Sequence, residues 1–280
     1  MRVVETCAEM MAACRQAARP LGLVPTMGAL HEGHLSLTRQ ARADNVTMAA
    51  SIFVNPTQFG PNEDFARYPR SLERDLELLE TEGTDLVFVP PPDEVYPEGF
   101  DTWIEPGAVA EGMEGAARPG HFRGVATVVA KLFTITRPEL AYFGQKDGQQ
   151  VAVIRKMNHD LNLGVEIVTM PTIREPDGLA LSSRNAYLTP EQREAAPAVY
   201  RALCAAEDVW RRGERDAARV QRAAYNILER ETLVDAVDYV SVVDADSMRP
   251  VETVQNDLEL MIATAVRLGS VRLIDNVVLG

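Results

Sequence analysis

The 280-residue sequence predicts an α/β protein: a Rossmann-like, doubly wound parallel sheet over residues 1–175, then a smaller C-terminal α+β domain over residues 176–280. Three observations carry that expectation. Short apolar runs alternate with segments of helical periodicity through the first half, the order of a parallel sheet covered by helices on both faces. Residues 47–54 are almost continuously apolar and β-compatible, as in a strand buried on both faces. Past about residue 175 the order changes to two helices followed by three strands, which describes a separate unit with antiparallel pairing.

Taken in order, an N-terminal helix precedes a short strand at residues 21–25, and residues 34–43 have helical spacing. After the strand at 47–54, residues 71–82 form an amphipathic helix with Leu72, Leu76 and Leu79 turned inward. A strand at 85–89 is stopped by Pro90, Pro91 and Pro92. A loop-rich stretch then runs to about Gly124, before a helix over 125–136 and a strand over 139–143. Asp147 is placed to cap a helix over 148–160, and 165–170 is the last strand of the sheet. In the second domain Thr189, Pro190 and Gln192 make a capping box with proline at the first helical position, opening one long helix to about Arg212. A further helix covers 217–231, and strands follow at 237–243, 259–266 and 271–274.

Composition narrows the function. The net charge of −13, without any Lys/Arg run, opposes a nucleic-acid partner, because a phosphate backbone needs a concentrated basic face. A small anionic substrate would instead need a local basic pocket. Three cysteines, Cys7, Cys14 and Cys204, form no CxxC pair and read as reduced thiols in a cytoplasmic protein. Glu5, Glu9 and Arg15 interrupt every early apolar run, so no signal peptide is expected. No run reaches the ~20 apolar residues of a membrane span, and no membrane partner is expected.

Five stretches carry polar groups where an α/β sheet binds ligands. Residues 25–34, PTMGALHEGH, leave a strand and open a helix, so backbone N–H groups and the helix dipole would face a phosphate. His31 and His34, three apart on a first turn, share a face and can donate to phosphate oxygens. HExH is not the HExxH of a zinc protease, and no metal ligand set is expected. A plain pair of surface histidines is the alternative. In residues 51–70, SIFVNPTQFGPNEDFARYPR, Asn55 and Gln58 stand just past a buried strand, where amides can read hydroxyls and a carboxylate; an ordinary Asn-Pro turn is the plainer account. Residues 118–124, RPGHFRG, read equally as an anion contact or a solvated basic loop. In residues 143–150, FGQKDGQQ, Lys146 is one of three lysines against 25 arginines, and a compact ammonium suits a point contact to phosphate. Residues 177–185, DGLALSSRN, place two hydroxyls and Arg184 on an interdomain turn, a candidate anion clamp or a simple linker.

In series, the five stretches resemble the pantothenate synthetase (pantoate–β-alanine ligase) family over nearly the whole chain. PTMGALHEGH is similar to the HxGH motif of class I aminoacyl-tRNA synthetases and other nucleotidylyl transferases, the wider superfamily; the other four are more restricted, and RLIDN at 272–276 also fits. The resemblance implies ligation of pantoate to β-alanine with ATP as substrate and Mg²⁺, through a pantoyl adenylate, by a homodimer. It implies that Met27, Gly28, Ala29, Leu30, His31, Glu32, Gly33 and His34 line the ATP site, with His34 the proton donor and His31 beside it. Gly144, Gln145, Lys146 and Asp147 would bind ATP, with Lys146 on the phosphates. Ile173 would contact the adenine side by its backbone. Leu181, Ser182, Ser183 and Arg184 would close on the triphosphate, the smaller domain acting as a lid. Gln58 and Gln150 would hold pantoate, with Gln58 also close to β-alanine. Thr57, Gln145 and Gly148 depart from the family's usual residues and bear on substrate fit rather than reaction class. The strand at 47–54 and the segment after it are candidates for the dimer surface.

Two rivals remain at this level: a nucleotidylyl transferase that stops at an adenylated product, and a nucleotide-binding regulatory module with a degenerate site. An aminoacyl-tRNA synthetase fragment is opposed by the acidic charge.

Overall fold

A computed structural model describes residues 1–61, 63–253 and 259–279; Asn62, inside the second of the five stretches, lies outside the described residues. The chain divides into two compact units. The first comprises Met1–Pro106, Arg118–Gly144 and Val153–Pro171, and the second Gly107–Ala117, Gln145–Ala152 and Thr172–Gly280.

The first unit is built on six strands, β1 (Arg2–Val4), β2 (Leu21–Thr26), β3 (Thr47–Ile52), β4 (Leu86–Phe88), β5 (Leu140–Gly144) and β6 (Glu166–Met170). They form one sheet in the order β1-β4-β3-β2-β5-β6, with every pair parallel. α1 (Cys7–Gln16), α2 (Glu32–Asp44), α3 (Leu72–Thr81), the short α4 (Pro92–Val95) and, beyond the second unit's short α5 (Met113–Ala117), α6 (His121–Thr136) connect the strands; α7 (Gly148–Asp160) leads from β5 towards β6. The chain lays β3 and β4 on one side of β2 and then returns to add β5 and β6 on the other. That reversal makes the carboxyl ends of β2 and β5 the switch point where such sheets bind ligands. β2 and β3 pair residue for residue from Leu21↔Thr47 to Thr26↔Ile52, so both strands end level at that edge. Beneath it lies a core of Val24, Leu30, Met48, Ala50, Leu79, Val87 and Tyr142.

One strand is added and three expectations change. β1 pairs with β4 at the sheet edge; its three residues are too few to show a period. On α3, Leu72 is exposed, and the buried positions are Asp75 and Leu79. α6 starts at His121, immediately after Gly120 in the left-handed region, so most of RPGHFRG is a helix start rather than a loop. β3, offered as a pairing surface, is buried along its whole length between β2 and β4 and has no edge to present.

The second unit packs α9 (Ala198–Arg211) and α10 (Ala217–Leu228), preceded by α8 (Pro190–Ala195), with an antiparallel sheet β7 (Ala236–Asp244), β8 (Leu260–Leu268) and β9 (Val271–Leu279). Val199, Leu203, Val220, Leu228, Val242 and Ile262 meet in its core. The capping box is present: Thr189 Oγ1 accepts from Gln192 N, and Gln192 Oε1 accepts from Thr189 N. The single long helix is two, because Pro197 cannot donate the next helical bond and α9 restarts after it. β9 continues past Ile274 to Leu279, through two polar residues, Asp275 and Asn276, that are each 4% exposed. Among the described residues no helix is long and apolar enough to cross a membrane.

Candidate active site

The first stretch leaves β2 through a tight turn. Gly28 (φ 79°) and Ala29 (φ 52°) are both left-handed, and the amides of Ala29 and Leu30 each donate to one oxygen of Asp75 at 2.8 Å. A Cβ on Gly28 would stand 2.9 Å from that carboxylate, so glycine answers both the backbone angle and the close approach. Asp75 is 1% exposed, yet in sequence it is one charge among several on an amphipathic helix. The signal that could have found it is its position four residues before buried Leu79, on the same face. Asp75→Asn turns an NH₂ toward one of the two amides. It should cost about 2 kcal/mol, the scale of a charge-assisted bond, read from the urea midpoint; an unchanged midpoint would show that the carboxylate does not hold the turn.

Past that turn His31 caps α2. Its Nδ1 accepts from Gly33 N at 3.2 Å, while His34 Nδ1 accepts from His31 N at 3.4 Å, a reciprocal box made by two imidazoles. A ring that accepts at Nδ1 carries its neutral-form proton on Nε2. The two rings, with centroids 4.2 Å apart, therefore hold Nε2–H donors beside the positive end of the helix dipole. Glu32, whose charge would repel a phosphate there, is ion-paired with Arg39, and that bond holds its carboxyl below the usual range.

The second and third stretches meet. Gln58, 8% exposed, directs Nε2 at Met27 Sδ (3.3 Å), and its Oε1 accepts from Asn55 Nδ2 (3.1 Å). Asn55 is 1% exposed, and Nδ2 also donates to the Gly124 carbonyl, while Oδ1 accepts from Thr57 Oγ1 and Tyr96 OH at 2.9 Å each. Its amide is thus spent on orienting Gln58. The Gln58 carbonyl accepts from His121 Nδ1 at 2.8 Å and from Arg118 at 3.3 Å. Arg118 is bound through two nitrogens to Glu63 (2.7 and 2.6 Å), and NH1 meets His121 Nε2. Burial would raise the Glu63 carboxyl, but the bonds from Arg118 outweigh it and hold it below the usual range. RPGHFRG is accordingly a brace for Gln58, a role that neither an anion contact nor a solvated loop describes.

Residues 145–150 of the fourth stretch and the whole of the fifth belong to the second unit. Gln145–Asp147 is a 3-10 turn, and Lys146 Nζ lies 3.3 Å from Asp147 Oδ1. Asp147 closes this turn ahead of α7. Gln149 and Gln150 separate: Gln149, 5% exposed, bonds Glu114 N and the carbonyls of Val109 and Glu111, while Gln150 is half-buried on the next helical position. Ile173 accepts from Leu181 N, and Arg174 bridges to Ala180, so residues 173–181 form a small hairpin. Ser182 then caps the 3-10 turn Ser183–Tyr187 by accepting from Arg184 N. The DGLALSSRN segment has a defined shape of its own, beyond that of a linker.

The family model for pantoate-beta-alanine ligase matches residues 1–278. A pantothenate synthetase of Roseiflexus sp. (strain RS-1) is 57% identical over 279 residues, covering 100% of this chain and 99% of its own. The crystal structure of pantothenate synthetase from Thermus thermophilus superposes with a TM-score of 0.93 at 48% identity, covering 99% of both chains. A pantoate-beta-alanine ligase from Francisella tularensis, complexed with beta-gamma ATP and beta-alanine, gives 0.80 at 35% identity, covering 99% of this chain and 97% of its own.

Proposed function

This chain belongs to the pantoate–β-alanine ligase family, and from that membership we infer that it condenses pantoate with β-alanine, using ATP, to give pantothenate, AMP and pyrophosphate. The observation that carries the reading is the match over residues 1–278, which takes in all five polar stretches. In the first half-reaction the pantoate carboxylate attacks the α-phosphorus, and pyrophosphate leaves with the bonding electron pair. In the second, the β-alanine amine attacks the acyl carbon of pantoyl adenylate, AMP departs, and the amine loses a proton. Both substrates bring their own nucleophile, so the protein's work is orientation and charge stabilisation.

The Nε2–H donors of His31 and His34 suit charge developing on the phosphates, and His34 serves as the proton donor. Residues 27–34 and 144–147 hold ATP, with Lys146 a point charge on its phosphates. Ile173 meets the adenine side, and Leu181–Arg184 close on the triphosphate as part of the lid. Gln58 and Gln150 hold pantoate, with Asn55 behind Gln58. Mg²⁺ bound with the triphosphate would help neutralise its charge and would need few protein ligands. Among the described residues no group of three or more His, Cys, Asp or Glu side chains is gathered into a cage. The free cysteines fit a cytoplasmic enzyme, and the family supports a homodimer.

Exchange of labelled pyrophosphate into ATP tests the reading. It should require pantoate but not β-alanine, and AMP should be released only when both are present. A folded protein without pantoate-dependent exchange would end the ligase reading in favour of a binding module. AMP-free adenylation would favour a nucleotidylyl transferase.

A further inference from the structure

We propose that Asp275 and Asn276, consecutive on β9, are positioning residues that hold the Lys146 turn and the 173–184 segment in one fixed relation. Asn276 devotes its whole amide to the turn. Nδ2 donates to the carbonyls of Gln145 (2.8 Å) and Lys146 (2.9 Å), and Oδ1 accepts from Gln145 Nε2 (2.9 Å). Both donors of the side chain are thereby used, on residues 131 and 130 positions away in sequence. Asp275 serves the other segment. Its carboxylate takes two bonds from Arg174, at 2.5 and 3.0 Å, and Arg174 passes the restraint on to the carbonyl of Gly178. The Arg174 guanidinium also lies 3.8 Å from the centroid of Tyr200, which fixes its plane.

Neighbouring residues of a strand point to opposite faces, so one short length of β9 reaches two segments that are far apart in sequence. Both segments carry residues assigned above to the triphosphate, and only in that respect does this inference rest on the ligase reading. The bidentate ion pair of Asp275 and the fully engaged amide of Asn276, two side chains of residues each 4% exposed, have few alternative arrangements. A shift of the Lys146 turn therefore has to break bonds to β9, and Lys146 reaches phosphate from a rigid support.

Asn276→Asp is the test. It keeps an acceptor for Gln145 but sets an oxygen against two carbonyl oxygens. The variant is expected to raise KM for ATP in pyrophosphate exchange roughly tenfold, the usual scale for losing a supporting shell. In a Lys146→Ala background the same change should add little, because both act through one group. Hydrogen exchange at residues 145–148 should quicken in the variant, a readout that does not depend on activity. Where the buried carboxylate prevents folding, Asn276→Ala decides on the same measurements. Unchanged KM and unchanged hydrogen exchange in a folded variant overturn the proposal, as does an additive cycle with Lys146→Ala. A wild type that lacks pantoate-dependent exchange sinks the ligase reading instead, and hydrogen exchange then judges the positioning role alone.

Discussion

Replacing His34 by Ala is expected to lower pantoate-dependent pyrophosphate exchange by ~10²–10³, the loss typical of one donor aimed at developing charge. The alanine alone would leave an ambiguity, because His34 Nδ1 also accepts from His31 N and so closes the cap of α2. Losing that bond costs stability as well, about 1 kcal/mol on the scale of a helix cap. His34→Asn separates the two roles. The Asn Oδ1 can stand where Nδ1 stood and accept the same amide, but nothing replaces the outer Nε2–H. The asparagine variant should therefore recover the thermal midpoint lost by alanine and remain as slow as alanine. Recovery of activity together with the midpoint would reduce His34 to a capping residue.

The parts of this molecule legible from sequence are those whose determinants are local. β3 is readable because burial on both faces leaves a nearly continuous apolar run, and α8 because Thr189, Pro190 and Gln192 spell out a cap within four positions. The five polar stretches are readable because each follows or precedes an element boundary. Three other features are set by partners distant in sequence, where composition is silent. β1 exists because β4 offers an edge to three residues that have no period of their own. Asp75 looks like a surface charge until its partners, Ala29 and Leu30, are seen across 46 and 45 positions. Asp275 and Asn276 read as the end of a strand, since two polar residues break the apolar alternation; bonds to Arg174 and Gln145 are what allow β9 to continue buried. RPGHFRG is legible as special but not as a brace, because the neutralising Glu63 is 55 residues away.

The brace also yields the second large effect. α6 runs so close to the 3-10 turn Pro56–Gln58 that a Cβ on Gly124 would lie 2.5 Å from Thr57 O, 2.6 Å from Thr57 C and 2.7 Å from Gln58 N. All three are backbone atoms, which cannot swing aside as a side chain would. Gly124→Ala must therefore displace the turn or the helix by about 1 Å to restore ordinary contact. Overpacking of this kind costs ~1–3 kcal/mol, but alanine returns about 1 kcal/mol of helix propensity, so the thermal midpoint should fall only modestly. Activity should fall far more. Gln58 rides on the displaced turn, and a misplacement of about 1 Å costs on the order of 10²-fold in rate. The expected signature is kcat/KM for pantoate down ~10²-fold in a protein that still melts cooperatively, with KM for ATP little changed. An alanine variant with normal kcat/KM for pantoate would mean that Gln58 can shift with its turn and still read the substrate.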